Sequence, residues 1–99
     1  MRLIKLALAN LDPTVGAFRS NTDKLIEHAR RMSEEHVTVG CFPEQAIAGY
    51  PSEDLVLWEG FVSAQWEELQ RFAAATRTIR FPTVFCLGLT VRELVARCP

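Results

Sequence analysis

An α/β fold with strands and helices in the order β-α-β-α-β is predicted for this 99-residue chain. Three observations carry that prediction. A run of alternating apolar residues opens the sequence, two stretches follow with apolar residues at steps of three and four, and an almost wholly apolar run lies near the end. Strands that alternate with helices imply parallel crossovers. No internal repeat, low-complexity stretch or linker divides the chain, so one small domain is expected.

Taken in order, Leu3 to Ala9 places Ile4, Leu6 and Leu8 on one side and Leu3, Lys5, Ala7 and Ala9 on the other. One of the two sides is expected to be firmly buried. Asp12-Pro13-Thr14-Val15-Gly16 is turn chemistry, because Pro fixes φ and Gly lets the backbone reverse. Phe18, Thr22, Leu25, Ala29 and Met32 then recur at helical spacing, with Arg19, Asp23, Glu27, Arg30 and Glu34 opposite them. Ser20 or Asn21 is expected to cap the start of that helix. Val37 to Phe42 is a β-rich run stopped by Pro43, which cannot donate to a ladder.

Gln45 to Pro51 reads as a loop, and Ser52-Glu53-Asp54 as a helix start, a hydroxyl followed by two acids that suit the helix dipole. The second helix carries an apolar stripe of Val62, Trp66, Leu69 and Ala73, joined by Phe61 and Phe72, with Glu59, Glu67, Gln70 and Arg71 on its wet side. Phe81 to Val91 has the pattern of a strand covered on both faces. Two helices can cover about one face of a sheet, so the sequence is patterned for a further layer.

Composition narrows the function. Eleven Lys+Arg against 12 Asp+Glu give a net charge of −1, which supplies no field to gather nucleic acid or an acidic membrane. An apolar content of 48% is ample for a packed core. Arg2, Lys5 and Ala7-Leu8-Ala9 imitate a signal peptide, but the apolar run is short and Asp12-Pro13 follows at once, so a strand is the better reading. No segment approaches the roughly 20 apolar residues of a membrane helix. Cys41, Cys86 and Cys98 are an odd number without disulfide-framework spacing, which points to a reducing cytoplasm.

Ligands in an open α/β unit gather beyond the carboxyl ends of the strands. Glu44 stands there, one residue past Pro43 and flanked by Phe42 and Ile47. An apolar setting would make it a general base near neutrality; the alternatives are an exposed loop glutamate or a helix cap. His28 and His36, eight residues apart, lack metal-site spacing and read as solvated surface histidines. The five glycines are scattered and form no phosphate loop. Arg30-Arg31 is offset by Glu34 and Glu35, and Arg77 with Arg80 is too small a patch for nucleic acid. Trp58 and Trp66 read as core or interface residues, and Tyr50 as a pocket wall beside Glu44 or an aromatic packed on the following helix.

Phe42-Pro43-Glu44, Gly49-Tyr50-Pro51 and Glu53-Asp54-Leu55 together resemble the first catalytic segment of the nitrilase, or carbon–nitrogen hydrolase, superfamily. Within it they look like the branch that forms the amino-terminal glutaminase domains of glutamine-dependent NAD⁺ synthetases. Leu6 to Asn10, Val15-Gly16, Asn21 and Phe81 to Leu89 extend the likeness over residues 2 to 92. The resemblance implies the β-α-β-α-β start of an α-β-β-α sandwich. It makes residues 1–92 the amino-terminal part of a carbon–nitrogen hydrolase domain and 93–99 a divergent tail.

The implied chemistry is hydrolysis of the glutamine side-chain amide. A cysteine thiolate attacks, a glutamate acts as general base and a lysine steadies the tetrahedral intermediate. Glu44 is the one member that carries over to this sequence. The lysines are Lys5, in the first strand, and Lys24, on the first helix. Cys41 is expected in the core, Cys86 buried and unreactive, and Cys98 in the tail. No cofactor site is expected in this chain; ATP and Mg²⁺ are implied only for a synthetase domain it lacks. Gln45 and Ala48 depart mildly from the family pattern and leave Glu44 in place. A truncated fragment is therefore expected, inactive alone and self-associating or pairing with the missing part of its domain. The alternatives are a non-catalytic interaction module using its sheet face, or a fragment of another amidase of the superfamily.

Overall fold

A computed structural model describes residues 3–49 and 59–89. The predicted order holds: β1 (Leu6–Leu8), α1 (Phe18–Glu34), β2 (Val39–Cys41), α2 (Glu59–Thr76) and β3 (Val84–Cys86). The strands make one parallel sheet in the order β1-β2-β3, with Leu6, Val39 and Val84 in register, then Ala7, Gly40 and Phe85, then Leu8, Cys41 and Cys86. Each strand is three residues long, shorter than the apolar runs suggest. Further bonds lengthen the ladder at its two ends, Thr38 N–H to Lys5 carbonyl at 2.7 Å and Phe42 N–H to Cys86 carbonyl at 2.8 Å.

Both helices pack on one face of the sheet. Leu25, Ile26, Ala29 and Met32 of α1 and Phe72 of α2 form the core with Val37, Phe42, Ala46 and Ile47, and Ala7, Ala9 and Phe85 close it from the sheet side. Phe42, Phe72 and Phe85 meet edge to face or offset, with centroids 5.8–6.1 Å apart. Phe18 and Phe61 join the two helices edge to face at 5.0 Å.

The covered side of β1 is the one with the smaller residues. Ile4, Leu6 and Leu8 are the open side, with Leu8 83% exposed, while Ala7 and Ala9 face the helices. Small residues win the covered face because they let the helices come close. Met32 lies so near Gly40 that a Cβ there would collide with its sulfur. β3 is likewise covered on one face, not two, since Val84 and Cys86 are exposed. The expectation of two buried faces assumed a layer that α1 and α2 do not supply.

The ends of α1 also differ from expectation. Its N-cap is Ala17, with no side-chain cap, and Asn21 is buried inside the first turn where it serves another purpose. At the other end Val37 N–H donates to the Met32 carbonyl and His36 N–H to the Ser33 carbonyl, both at 3.0 Å. That is a Schellman cap, with His36 at φ +56° in the position glycine usually takes. Buried Val37 and Met32 provide its apolar contact.

The buried face of α2 is Phe61, Gln65 and Phe72. Trp66, expected on the stripe, is half-exposed at 51%, and Ala73 is exposed. Arg71 ties the helices together. It pairs with Glu68 at 2.7 Å and Asp23 at 2.8 Å and donates to the Arg19 carbonyl at 3.0 Å. The Glu68 hydrogen bond raises the Arg71 pKa above its ordinary value; burial opposes it, and the Asp23 hydrogen bond adds a smaller upward push. Among the described residues no helix is long and apolar enough to cross a membrane. Tyr50 to Trp58, with the expected helix start at Ser52-Glu53-Asp54, and residues 90–99, with the 92/93 boundary and Cys98, lie outside the described residues.

Candidate functional site

Pro43 ends β2 and turns the chain out at the carboxyl end of the sheet, and Glu44 follows on that turn. The turn reverses sharply at Gln45, at φ +59°. Phe42 and Ile47 are buried beneath it, but the Glu44 side chain is exposed, so they anchor the loop rather than enclose the carboxylate. Glu44 lines a cavity of about 390 Å³ with Leu11, Asp12, Pro13 and Pro43. Two acids thus face one cleft, one leaving β1 and one leaving β2.

The loop is held from three sides. Asn21, 2% exposed, donates to the carbonyls of Thr14 and Ile47 at 2.8 Å each and accepts from Thr14 N–H at 3.0 Å. Gly16 N–H donates to the Ala48 carbonyl at 2.9 Å. Gly88, just past β3, lies against Glu44: a Cβ on it would come within 3.0 Å of the Glu44 Cα. The turn after β1, the loop after β2 and the exit of β3 therefore converge on one residue.

Among the described residues, none of the lysines, cysteines or histidines singled out in the sequence joins it. Lys5 Nζ donates to the Glu35 carbonyl at 2.8 Å, at the entering end of the strands, and Lys24 is exposed on α1. Cys41 is half-exposed rather than packed in the core, and Cys86 is exposed rather than buried. They are register partners, in line with exposed Leu8 on the open sheet face, which no element among the described residues covers. His28 bonds the Lys24 carbonyl through Nδ1 at 2.8 Å, and exposed His36 stacks on Phe81. Among the described residues no group of three His, Cys, Asp or Glu could hold a metal. Asp12, read in the sequence only as a turn residue, is a lining residue that spacing could not reveal, since it shares a cavity with Glu44 only because β1 and β2 are neighbours.

A parallel β-α-β-α-β unit with a carboxylate at the exit of its second strand and one uncovered sheet face defines an incomplete nitrilase-like domain. No protein-family model matches the chain. It is 46% identical over 77 residues to the glutamine-dependent NAD(+) synthetase of Xanthomonas campestris pv. campestris, covering 77% of this chain and 14% of that protein. The enzyme of the same name from Thermotoga maritima is 38% identical over 79 residues, covering 80% of this chain and 14% of that protein. Two solved structures share the fold. A glutamine-dependent NAD(+) synthetase from Cytophaga hutchinsonii superposes with a TM-score of 0.80 at 24% identity, over 92% of this chain and 15% of that one. The enzyme from Acinetobacter baumannii, solved with ADP, gives 0.76 at 30% identity, over 95% of this chain and 17% of that one. The chain belongs with the glutamine-dependent NAD(+) synthetases, and spans about one-seventh of the length of the relatives it matches.

Proposed function

We propose that this chain is part of the glutamine-hydrolysing, ammonia-supplying domain of a cytoplasmic NAD⁺ synthetase, with Glu44 as its general base. The observation that carries the proposal is the position of Glu44, on a loop fixed by Asn21 and Gly88 at the carboxyl end of a sheet homologous to those enzymes. A glutamate there can take the proton of an attacking thiol and return it to departing ammonia. Neither Cys41 nor Cys86 lines the Glu44 cavity, and Lys5 is committed at the other end of the sheet. Among the described residues the base therefore stands without nucleophile or oxyanion support, and on this reading a polypeptide of these 99 residues is inactive alone.

The test is a chimaera in which this chain replaces the matching segment of the Xanthomonas relative. Ammonia release from glutamine should return in the chimaera and fall about 10²–10⁴-fold in Glu44→Gln. A Glu44→Gln chimaera as active as its parent sinks the assignment, as does Glu44-dependent ammonia release by the 99-residue chain alone.

A second reading, an interaction module, is favoured by the open sheet face. Ile4, Leu6, Leu8 and Val84 are each at least 60% exposed on one side of three strands in register. Exposed apolar surface of that kind marks a contact surface, and a second copy, or the rest of the domain, would cover it.

A further inference from the structure

A second cavity, of about 490 Å³, lies at the entering ends of β2 and β3, the opposite end of the sheet from Glu44. Arg30 of α1 and Arg80 of the segment leading to β3 both line it. Among the described residues neither guanidinium has an ion pair or a side-chain hydrogen bond, and the one acid in the lining is Glu34. The wall between them is built, not incidental. The His36 ring stacks on Phe81 with centroids 4.7 Å apart and planes 10° from parallel. Ser33 Oγ accepts from Phe81 N–H at 3.1 Å, which fixes the chain beside Arg80 against the end of α1.

The end of a helix ordinarily repels anions, because its last carbonyls carry the negative end of the dipole. Here the carbonyls of Arg31, Met32 and Ser33 already accept from Glu35, Val37 and His36. What faces the cavity is two arginines against one carboxylate, with a volume that suits a small ligand. Guanidinium groups bind phosphate oxygens in paired, charge-assisted hydrogen bonds.

We propose that this cavity binds a phosphate group, free or carried as a monoester on a small organic molecule, between Arg30 and Arg80. The assignment is independent of the role of Glu44. Its test is an amide-shift titration of the 99-residue chain with inorganic phosphate and with phenyl phosphate, at constant ionic strength set with chloride. Saturable shifts confined to residues 30–36 and 78–82 are expected, with half-saturation at about 1 mM or below. Arg30→Ala and Arg80→Ala should each weaken binding about tenfold while the remaining amide shifts stay put, since both side chains are exposed. Tighter binding of phenyl phosphate identifies a monoester site; equal binding identifies a site for the free ion. Shifts that do not saturate, that spread over the surface, or that survive both substitutions overturn the proposal.

Discussion

Asn21 holds Ile47: from the first turn of α1 its side-chain amide donates to the Ile47 carbonyl at 2.8 Å, with Asn21 2% and Ile47 0% exposed. The same side chain closes on both polar backbone groups of Thr14. One amide thus bridges the turn after β1 to the loop that carries Glu44. Asn21→Ala leaves the Ile47 carbonyl buried without this donor and should lower unfolding free energy by about 2–3 kcal/mol in urea titration. Asn21→Asp keeps the acceptor for Thr14 N–H but loses both donated bonds, so it should be no more stable than Asn21→Ala. If either variant matches the parent, the bridge contributes nothing.

Gly49 sits where the Glu44 loop meets the turn after β1, at φ +89°, with Val15 backbone 2.6 Å from where a Cβ would stand. Backbone cannot swing aside as a side-chain tip can. Gly49→Ala should therefore cost more than about 2 kcal/mol, beyond the ordinary penalty of a non-glycine residue at positive φ. Its backbone bond to the Gln45 carbonyl, 2.7 Å, should lose protection in amide exchange.

His36 occupies the left-handed position of the α1 cap and also stacks on Phe81. These two features oppose each other. Replacement by glycine relieves backbone strain of about 1 kcal/mol but forfeits the stack; replacement by alanine forfeits the stack and keeps the strain. His36→Gly should accordingly be about 1 kcal/mol more stable than His36→Ala, measured by thermal unfolding. Equal stability of the two would mean that φ +56° costs nothing here.

Arg71 joins α2 to Asp23 and the Arg19 carbonyl of α1, with the Asp23 end exposed. Arg71→Met should cost about 1 kcal/mol, less in high salt. A group whose folded pKa is raised contributes stability that is full below its unfolded pKa and is lost as pH rises through the folded one. For an arginine that loss falls above about pH 12, so the parent-minus-variant difference should be flat from neutrality to about pH 10. A difference that fades between those limits would place the contribution elsewhere.

The order of elements was legible because periodicity survives local exceptions. Phe18 to Met32 keeps its helical spacing although Thr22 stands in the buried stripe. The sidedness of β1 was not legible, because both sides are apolar and size misleads. Bulky Leu6 and Leu8 look like core, yet the face against the helices takes Ala7 and Gly40 for closeness. Gln65, 0% exposed between Phe61 and Phe72, is a polar residue on the buried face of α2, so apolar spacing alone favours Trp66 in its place. Glu44 was visible as an acid just past a strand-ending proline. Asp12 beside it was not, because its meaning depends on which strands are neighbours.

The open sheet face gives the last expectation. Leu8 is 83% exposed at the end of β1, in line with Cys41 and Cys86, so among the described residues a lysine there can reach solvent past Cys41. Leu8→Lys should leave the stability of the monomer within about 0.5 kcal/mol. If copies mate through this face, the same charge has to be desolvated between two apolar sheets, at a cost of several kcal/mol per ion. Sedimentation velocity should then show a concentration-dependent dimer for the parent chain and a monomer for Leu8→Lys. A parent chain that remains monomeric at high concentration removes self-association and leaves the rest of the domain as the layer this face was patterned to meet.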